Sequence, residues 1–256
     1  MLVHNIDPII FQYGPFQIRW YSLLFVGSIL LAFEIAKYIV KKEKVKLNLD
    51  DLILPMLLGI IIGARLFHCL FYEPEYYLKH PLEILYIWKG GLASHGGILG
   101  AIIVLYWFTK KHHIDFWWAF ARGAFVGLLV DSAIRIGNFI NSEILGLATT
   151  SAFGVVFQKV DNTPRHPVQL YEAFSYFILF IIIAILYKKL SSKTFTQIAA
   201  PLIIGVGFLI RFILEYFKTP QTQFHNILPL SMGQLLSLPF ILFAIWLFFY
   251  LKKRYS

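Results

Sequence analysis

Charge is scarce in this chain. Only 14% of its 256 residues are Asp, Glu, Lys or Arg, against roughly a quarter in ordinary soluble domains, which argues against a water-soluble globular enzyme. Cysteine is scarcer still: the one thiol, Cys69, has no partner for an internal disulfide and sits in an apolar run, where a buried inert thiol is expected. There is no HExxH, no facial set of carboxylates and no thiolate cluster, so neither a metal site nor a cofactor is expected. Also missing are a Gly/Ser linker, a low-complexity stretch and a repeat with a period of 20 to 50 residues, which leaves a single domain over 1–256. Disorder and collagen-like structure are excluded by the same composition.

What the chain has instead is apolar surface: 58% hydrophobic residues, with 25 Phe, 14 Tyr and 6 Trp, and a mean hydropathy of +0.68. One soluble core of this size could not hide it, so most of the chain should face lipid. A bilayer core about 30 Å thick needs ~20 apolar residues per helix. Seven such windows lie at approximately 18–40, 52–72, 92–109, 116–136, 168–187, 195–217 and 230–251. The expected fold is therefore all-α and polytopic, with about seven transmembrane helices. The first window is too long for a signal-peptide core and no small-residue cleavage site follows it, so it should remain as a helix.

The net charge of +9 would suggest nucleic acid in a soluble protein, but membrane proteins collect Lys and Arg in cytoplasmic loops. Sorted by loop parity, Lys41, Lys42, Lys44, Lys46, Lys110, Lys111, Lys188, Lys189, Lys193, Lys252, Lys253 and Arg254 make twelve on one side. Lys79, Lys89, Lys159, Arg165 and Lys218 make five on the other. That asymmetry puts the N-terminus outside and the C-terminus in the cytoplasm, and no nucleic acid is expected. It also makes 138–167 an outer loop element. Gly59/Gly63, Gly96/Gly100 and Gly123/Gly127 have the four-residue spacing that lets helices approach closely, and helix packing is their expected role.

Polar groups at membrane depth are costly and usually functional, and here they gather at one set of helix ends. Arg19, Trp20 and Tyr21 open the first window, and Arg65 and His68 lie near the close of the second. Ser94 and His95 open the third, Arg135 and Asn138 close the fourth, and Gln169, Tyr171 and Glu172 open the fifth. Arg211 and Glu215 close the sixth, and Ser231 and Gln234 open the seventh. By the parity rule every one of these ends is the outer end, so a site reached from outside is expected. Arg211 lies about six residues inside its window, or ~9 Å at 1.5 Å per residue, the depth of a lipid phosphodiester. A guanidinium donates in pairs to phosphate oxygens, which makes Arg135 and Arg211 candidate phosphate ligands. An ion pair between Arg211 and Glu215 on one helix face is a structural alternative. Arg19 and Arg65 taken singly read as side chains snorkelling to the interface. His95 stands among Gly90, Gly91, Gly96 and Gly97, where backbone can come close to a substrate, and imidazole titrates where a general base should.

The run Arg135-Ile136-Gly137-Asn138-Phe139-Ile140-Asn141-Ser142-Glu143, ending at Gly146, resembles the signature of the phosphatidylglycerol:prolipoprotein diacylglyceryl transferases, which begin bacterial lipoprotein maturation. The resemblance extends over nearly the whole chain through Arg19-Trp20-Tyr21, Gly90-Gly91 with His95-Gly96-Gly97, and Arg165-His166-Pro167 with Gln169-Leu170-Tyr171-Glu172. Arg211 with Glu215 and Ser231-Met232-Gly233-Gln234 complete it. It implies a bacterial inner-membrane enzyme with its active site toward the outer face. Its partners would be phosphatidylglycerol, a prolipoprotein signal peptide with a lipobox cysteine, and the lipid bilayer. The implied reaction transfers diacylglyceryl to the cysteine thiol, forming a thioether and releasing glycerol 1-phosphate. The family's functional positions fall on Tyr21, His95, Arg135, Asn138, Gly146, Arg211 and Glu215. Of these, His95, Arg135, Arg211 and Tyr21 would be catalytic, while Arg135, Asn138, Gly146, Arg211 and Glu215 would bind the phospholipid. Which group acts as base is open, with His95 ranked first.

The chain departs from the family pattern at Ser22 and Ile134, where glycine is usual or frequent, at Ala121 for a common aspartate, and at Lys218 for a common arginine. The loop between Gly146 and Arg165 is short. A reading from another class, a transporter or channel for an anionic substrate using the same arginines, would expect internal repeats and ionisable groups near the midplane. Only Asp131 and Glu34 lean that way.

Overall fold

Each apolar window forms a long helix. The computed structural model describes residues 2–14, 16–219 and 230–256. Its long helices are α1 (Trp20–Lys42), α2 (Asp50–Phe71), α4 (Ser94–Lys111), α5 (Phe116–Ile140), α6 (Val168–Lys189), α7 (Ser192–Leu214) and α8 (Met232–Arg254). Between α2 and α4 come the short α3 (Pro74–Lys79) and two single 3-10 turns, Pro81–Leu85 and Ile87–Lys89. Among the described residues, six helices are long and apolar enough to cross a membrane, and α4 is not one of them. Its 18 residues open on Ser94 and His95 and close on Lys110 and Lys111, so its apolar stretch is the shortest of the set.

The chain is mostly helical, but the expectation of an all-α fold has to be corrected by five short strands: β1 (Leu2–His4), β2 (Ile9–Tyr13), β3 (Phe16–Arg19), β4 (Val155–Phe157) and β5 (Pro164–Arg165). β1 pairs in parallel with β4, β4 pairs antiparallel with β5, and β2 and β3 form a separate antiparallel hairpin. These runs of two to five residues are too short to register in a membrane-length window, and β1 finds its partner more than 150 residues away. β3 takes Ile18 and Arg19, so α1 starts at Trp20 rather than at the apolar boundary.

The chain forms two compact units, one of Met1–Ile39 with Ala121–Ser256 and one of Val40–Phe120. In the first unit, Phe139, Val155 and Phe157 are buried together under the small sheet, with Ile140, Leu145 and Leu170 against them. The His4 ring packs on Phe139 and Phe157 at centroid distances of 4.5 and 5.3 Å. At the start of α5, the buried Arg122 donates to Thr196 Oγ1 (2.6 Å) and Ser192 Oγ (2.8 Å) and lies over the Phe195 ring, which ties α5 to the start of α7. A buried guanidinium in an apolar helix needs such acceptors, because unpaired it would be strongly disfavoured.

In the second unit, α2 and α4 pack through glycine. A Cβ on Gly63 or Gly96 would run into the other residue's carbonyl oxygen, and one on Gly100 into that of Gly59. Helix packing therefore accounts for two of the three glycine pairs. A Cβ on Gly123 or Gly127 would meet nothing within 4 Å among the described residues, so the packing role expected for that pair has no contact behind it.

Candidate active site

Five helices of the first unit bring the polar ends predicted for them together. Glu172, the fifth residue of α6, is fully buried. Arg135, near the end of α5, places Nε 3.1 Å from Glu172 Oε2. Lys218, just past α7, places Nζ 2.7 Å from Glu172 Oε1 and 3.4 Å from Glu215 Oε2. An isolated carboxylate in such a place would cost several kcal/mol, so the two cations explain how Glu172 can be there. The chain Arg135, Glu172, Lys218, Glu215 has two positive and two negative charges and neutralises itself.

Arg211 stands apart from that balance. It forms no ion pair with Glu215 or any other described residue, and its buried Nε has no hydrogen-bond partner. The intrahelical pair that the four-residue spacing allowed is thus replaced by Lys218 on Glu215. The phenol of Tyr176 is within electrostatic reach of Glu172, Arg135, Asp131 and Arg211. Arg135 likewise makes no hydrogen bond from Nη1 or Nη2 to a described residue. The site therefore offers donors from two guanidinium groups, which suit the oxygens of a phosphodiester.

The loop after α5 forms the rim. Asn138 and Asn141 donate from their Nδ2 atoms to the two carboxylate oxygens of Glu143, at 2.9 and 3.2 Å, and Gln169 Nε2 donates to the Glu143 carbonyl. The Oδ1 atoms of both asparagines are buried without a hydrogen-bond partner. Ser142 and Ile144 take φ of +56° and +55°, a conformation that is costly for a β-branched residue and is stored where surroundings enforce it. Gly146 makes a bridge to Lys218, with Leu147 N donating to Phe217 O at 2.8 Å and Thr219 N to Leu145 O at 3.1 Å. A Cβ on Gly146 would enter the His166 carbonyl. Tyr21, at the start of α1, lies against Gly137, where a Cβ would come within 2.6 Å of its ring, and its phenol is in electrostatic reach of Glu143 and Arg135.

Other residues of the predicted zone have structural partners. Ser231 and Gln234 form a capping box that starts α8, and the Glu215 carboxylate lies against Gly233. Arg19 is exposed and donates to Gln17. The Ser94 side chain lies outside what is described. His95 belongs to the second unit, on the first turn of α4, with an exposed ring 6.2 Å from that of Phe67. Arg65, expected to snorkel, is instead 3% exposed.

Sequence reasoning set Glu172 among the polar helix ends and Glu143 in the signature run, but gave neither of them, nor Lys218, a catalytic or binding role. Glu172 carried a usable signal, a lone carboxylate inside an apolar window. The pairing of Lys218 with two carboxylates from different elements had none.

The fold and the site define a class: a helical protein with several membrane-length apolar helices and a buried cluster of arginine, lysine and carboxylate at their ends. The model of one family, prolipoprotein diacylglyceryl transferase, matches residues 8–250, and the chain belongs to that family. Relatives called phosphatidylglycerol–prolipoprotein diacylglyceryl transferase include that of Tolumonas auensis, 45% identical over 96% of this chain and 95% of its own. That of Chloroherpeton thalassium is 39% identical over 98% and 94%, and that of Rickettsia canadensis 42% identical over 94% and 95%. Nothing in these matches supports an anion transporter.

Proposed function

We propose that this protein is a phosphatidylglycerol–prolipoprotein diacylglyceryl transferase that moves the diacylglyceryl group of phosphatidylglycerol to the lipobox cysteine of a prolipoprotein. The observation that carries the reading, beside the family match, is Arg211, half-buried, in no ion pair with a described residue and with its buried Nε unmet, while Arg135, Glu172, Lys218 and Glu215 pair among themselves. The cysteine sulfur attacks the glyceryl carbon that bears the phosphate. A C–S bond forms, the C–O bond to phosphate breaks, and glycerol 1-phosphate departs with the electron pair. The thiol proton goes to a base, since thiolate is the nucleophile, and we assign that role to His95. Arg135 and Arg211 hold the phosphate and stabilise the charge that grows on it. Asn138, Gly146 and Glu215 line the headgroup, and Tyr21 closes the site beside Gly137.

In this reading the chain is one membrane domain over 1–256 and crosses the bacterial inner membrane seven times. The N-terminus and the 138–167 loop lie outside, and the basic clusters lie in the cytoplasm. The lipid arrives from the bilayer and the signal peptide from the outer face.

The test is to incubate purified protein with phosphatidylglycerol and a lipobox peptide and to weigh the peptide by mass spectrometry. A diacylglyceryl mass gain with release of glycerol phosphate is expected. A peptide of unchanged mass would refute the assignment.

A further inference from the structure

Arg65 occupies an unusual place for a cation in a membrane-length helix. It lies late in α2, is 3% exposed, and forms no ion pair with a described residue. Its guanidinium is given over to backbone: Nε donates to Ile84 O at 2.9 Å, Nη2 to Glu83 O at 2.6 Å, and Nη1 to Gly90 O at 2.6 Å and Gly91 O at 3.2 Å. The Tyr77 ring lies 5.0 Å away as a cation-π partner. All three nitrogens are used, and every acceptor belongs to the segment that leads into α4.

Four carbonyls can turn toward one point only if the chain takes conformations that most residues avoid. Gly90 and Gly91 have φ of +87° and +71°, open to glycine at little cost. A Cβ on Gly91 would come within 2.7 Å of Arg65 Nη1 and of the His68 ring. Two residues further on, Ala93 N donates to Ala64 O at 3.0 Å, next to Arg65 itself. His95 follows at once, exposed and with its ring 6.2 Å from that of Phe67, so burial does not fix it. The position of its Cα is set by the backbone before it.

We propose that Arg65 is a positioning residue for His95, holding the 83–91 backbone so that the first turn of α4 presents the imidazole in one place. The proposal rests on the reading of His95 as the base. A guanidinium bound to carbonyls alone orders a loop without neutralising any charge in the site, which is what separates this role from that of Arg135 or Arg211. A misplacement of about 1 Å in a reacting group costs up to roughly 100-fold in rate, so a loop tie can govern turnover from a distance.

The experiment compares Arg65→Lys and Arg65→Met with wild type in three measurements: kcat and KM for phosphatidylglycerol, melting temperature in detergent, and the rate of diethyl pyrocarbonate acylation at each histidine, read by mass spectrometry. The lysine can meet some of the four carbonyls and the methionine none. The expected result is a graded loss of kcat, roughly 10-fold for lysine and 100-fold for methionine, with KM within about twofold and a several-fold change in acylation confined to His95 and to His68, whose ring lies beside Gly91. Should Arg65→Met fail to accumulate, Gly91→Ala disturbs the same loop with the arginine intact and should give the same pattern. Unchanged kcat and His95 reactivity would overturn the proposal, as would equal changes at His112 and His113, or failure of both variants to reach the membrane, which mark a purely structural anchor. If wild type transfers diacylglyceryl but His95→Gln does so equally well across pH, the assignment of the base fails while the enzyme reading stands.

Discussion

Glu172 Oε2 lies 3.1 Å from Arg135 Nε while its other oxygen meets Lys218 Nζ, so one buried carboxylate fixes two cations. Breaking a buried pair by removing one partner costs about 3–5 kcal/mol because a charge is left unmatched. Glu172→Gln is expected to cost that much, read as a large fall in melting temperature. Adding Arg135→Met should recover part of the loss by removing the cation that loses its ion pair, since Lys218 keeps Glu215. A variant as stable as wild type would show that the pair contributes nothing to folding.

Arg135→Ala should behave differently, because Lys218 still meets Glu172 and no carboxylate is stranded. We expect normal insertion with transfer reduced beyond detection. Arg135→Lys and Arg211→Lys keep the charge and lose the planar fork, so each should lower kcat/KM at least tenfold, about 1.4 kcal/mol. Wild-type turnover in Arg135→Ala would remove it from the site.

The sequence shows the long helices and which of their ends carry polar groups, because hydropathy and charge act over windows of about 20 residues. Arg135, Asn138, Arg211 and Tyr21 are legible in that way, as polar groups where lipid should be. Strands β1, β4 and β5 are not, since their pairing links residues 2–4 with 155–157 and leaves no local period. Nor is the difference between Arg65 and Arg211, two arginines near helix ends in apolar windows. One is bound by four carbonyls of a later loop and the other has an unmet Nε. The partner of a charge is a tertiary fact, and for that reason the pairing of Glu172 with Arg135 and Lys218 leaves no trace in the sequence, although Glu172 and Arg135 each stand out there as polar groups in apolar windows.

The glycine pairs separate by contact. Gly100→Ala would force a methyl group into the Gly59 carbonyl between α2 and α4, and overpacking of this kind costs about 1–3 kcal/mol. Gly123→Ala and Gly127→Ala meet nothing within 4 Å among the described residues and should leave stability within about 1 kcal/mol, the size of the helix-propensity difference. Melting curves in detergent distinguish the two groups. Equal losses at Gly100 and Gly123 would contradict the packing given above.

Outside the helices, Asp161 and Arg165 give a pH dependence of known sign. Arg165 Nη2 donates to Asp161 Oδ2 at 2.6 Å, and the Thr163 N–H donates to Oδ1 at 2.9 Å. The hydrogen bond from Arg165 is the main cause that holds the Asp161 carboxyl below its ordinary range, with the Thr163 backbone second. A group whose folded value is depressed stabilises the fold above its unfolded value, and that contribution is lost as pH falls through the folded one. Protection of the β4 amides and of the Arg165 amide, taken relative to their intrinsic exchange rates, should therefore be high above about pH 4 and should fall below it. Because Asp161 is only partly buried and pairs within its own loop, the local sheet alone should loosen while the helices keep their protection. In Asp161→Asn the acid-induced change should vanish and exchange should be fast throughout; an unaltered pH profile would show that this pair does not hold the sheet.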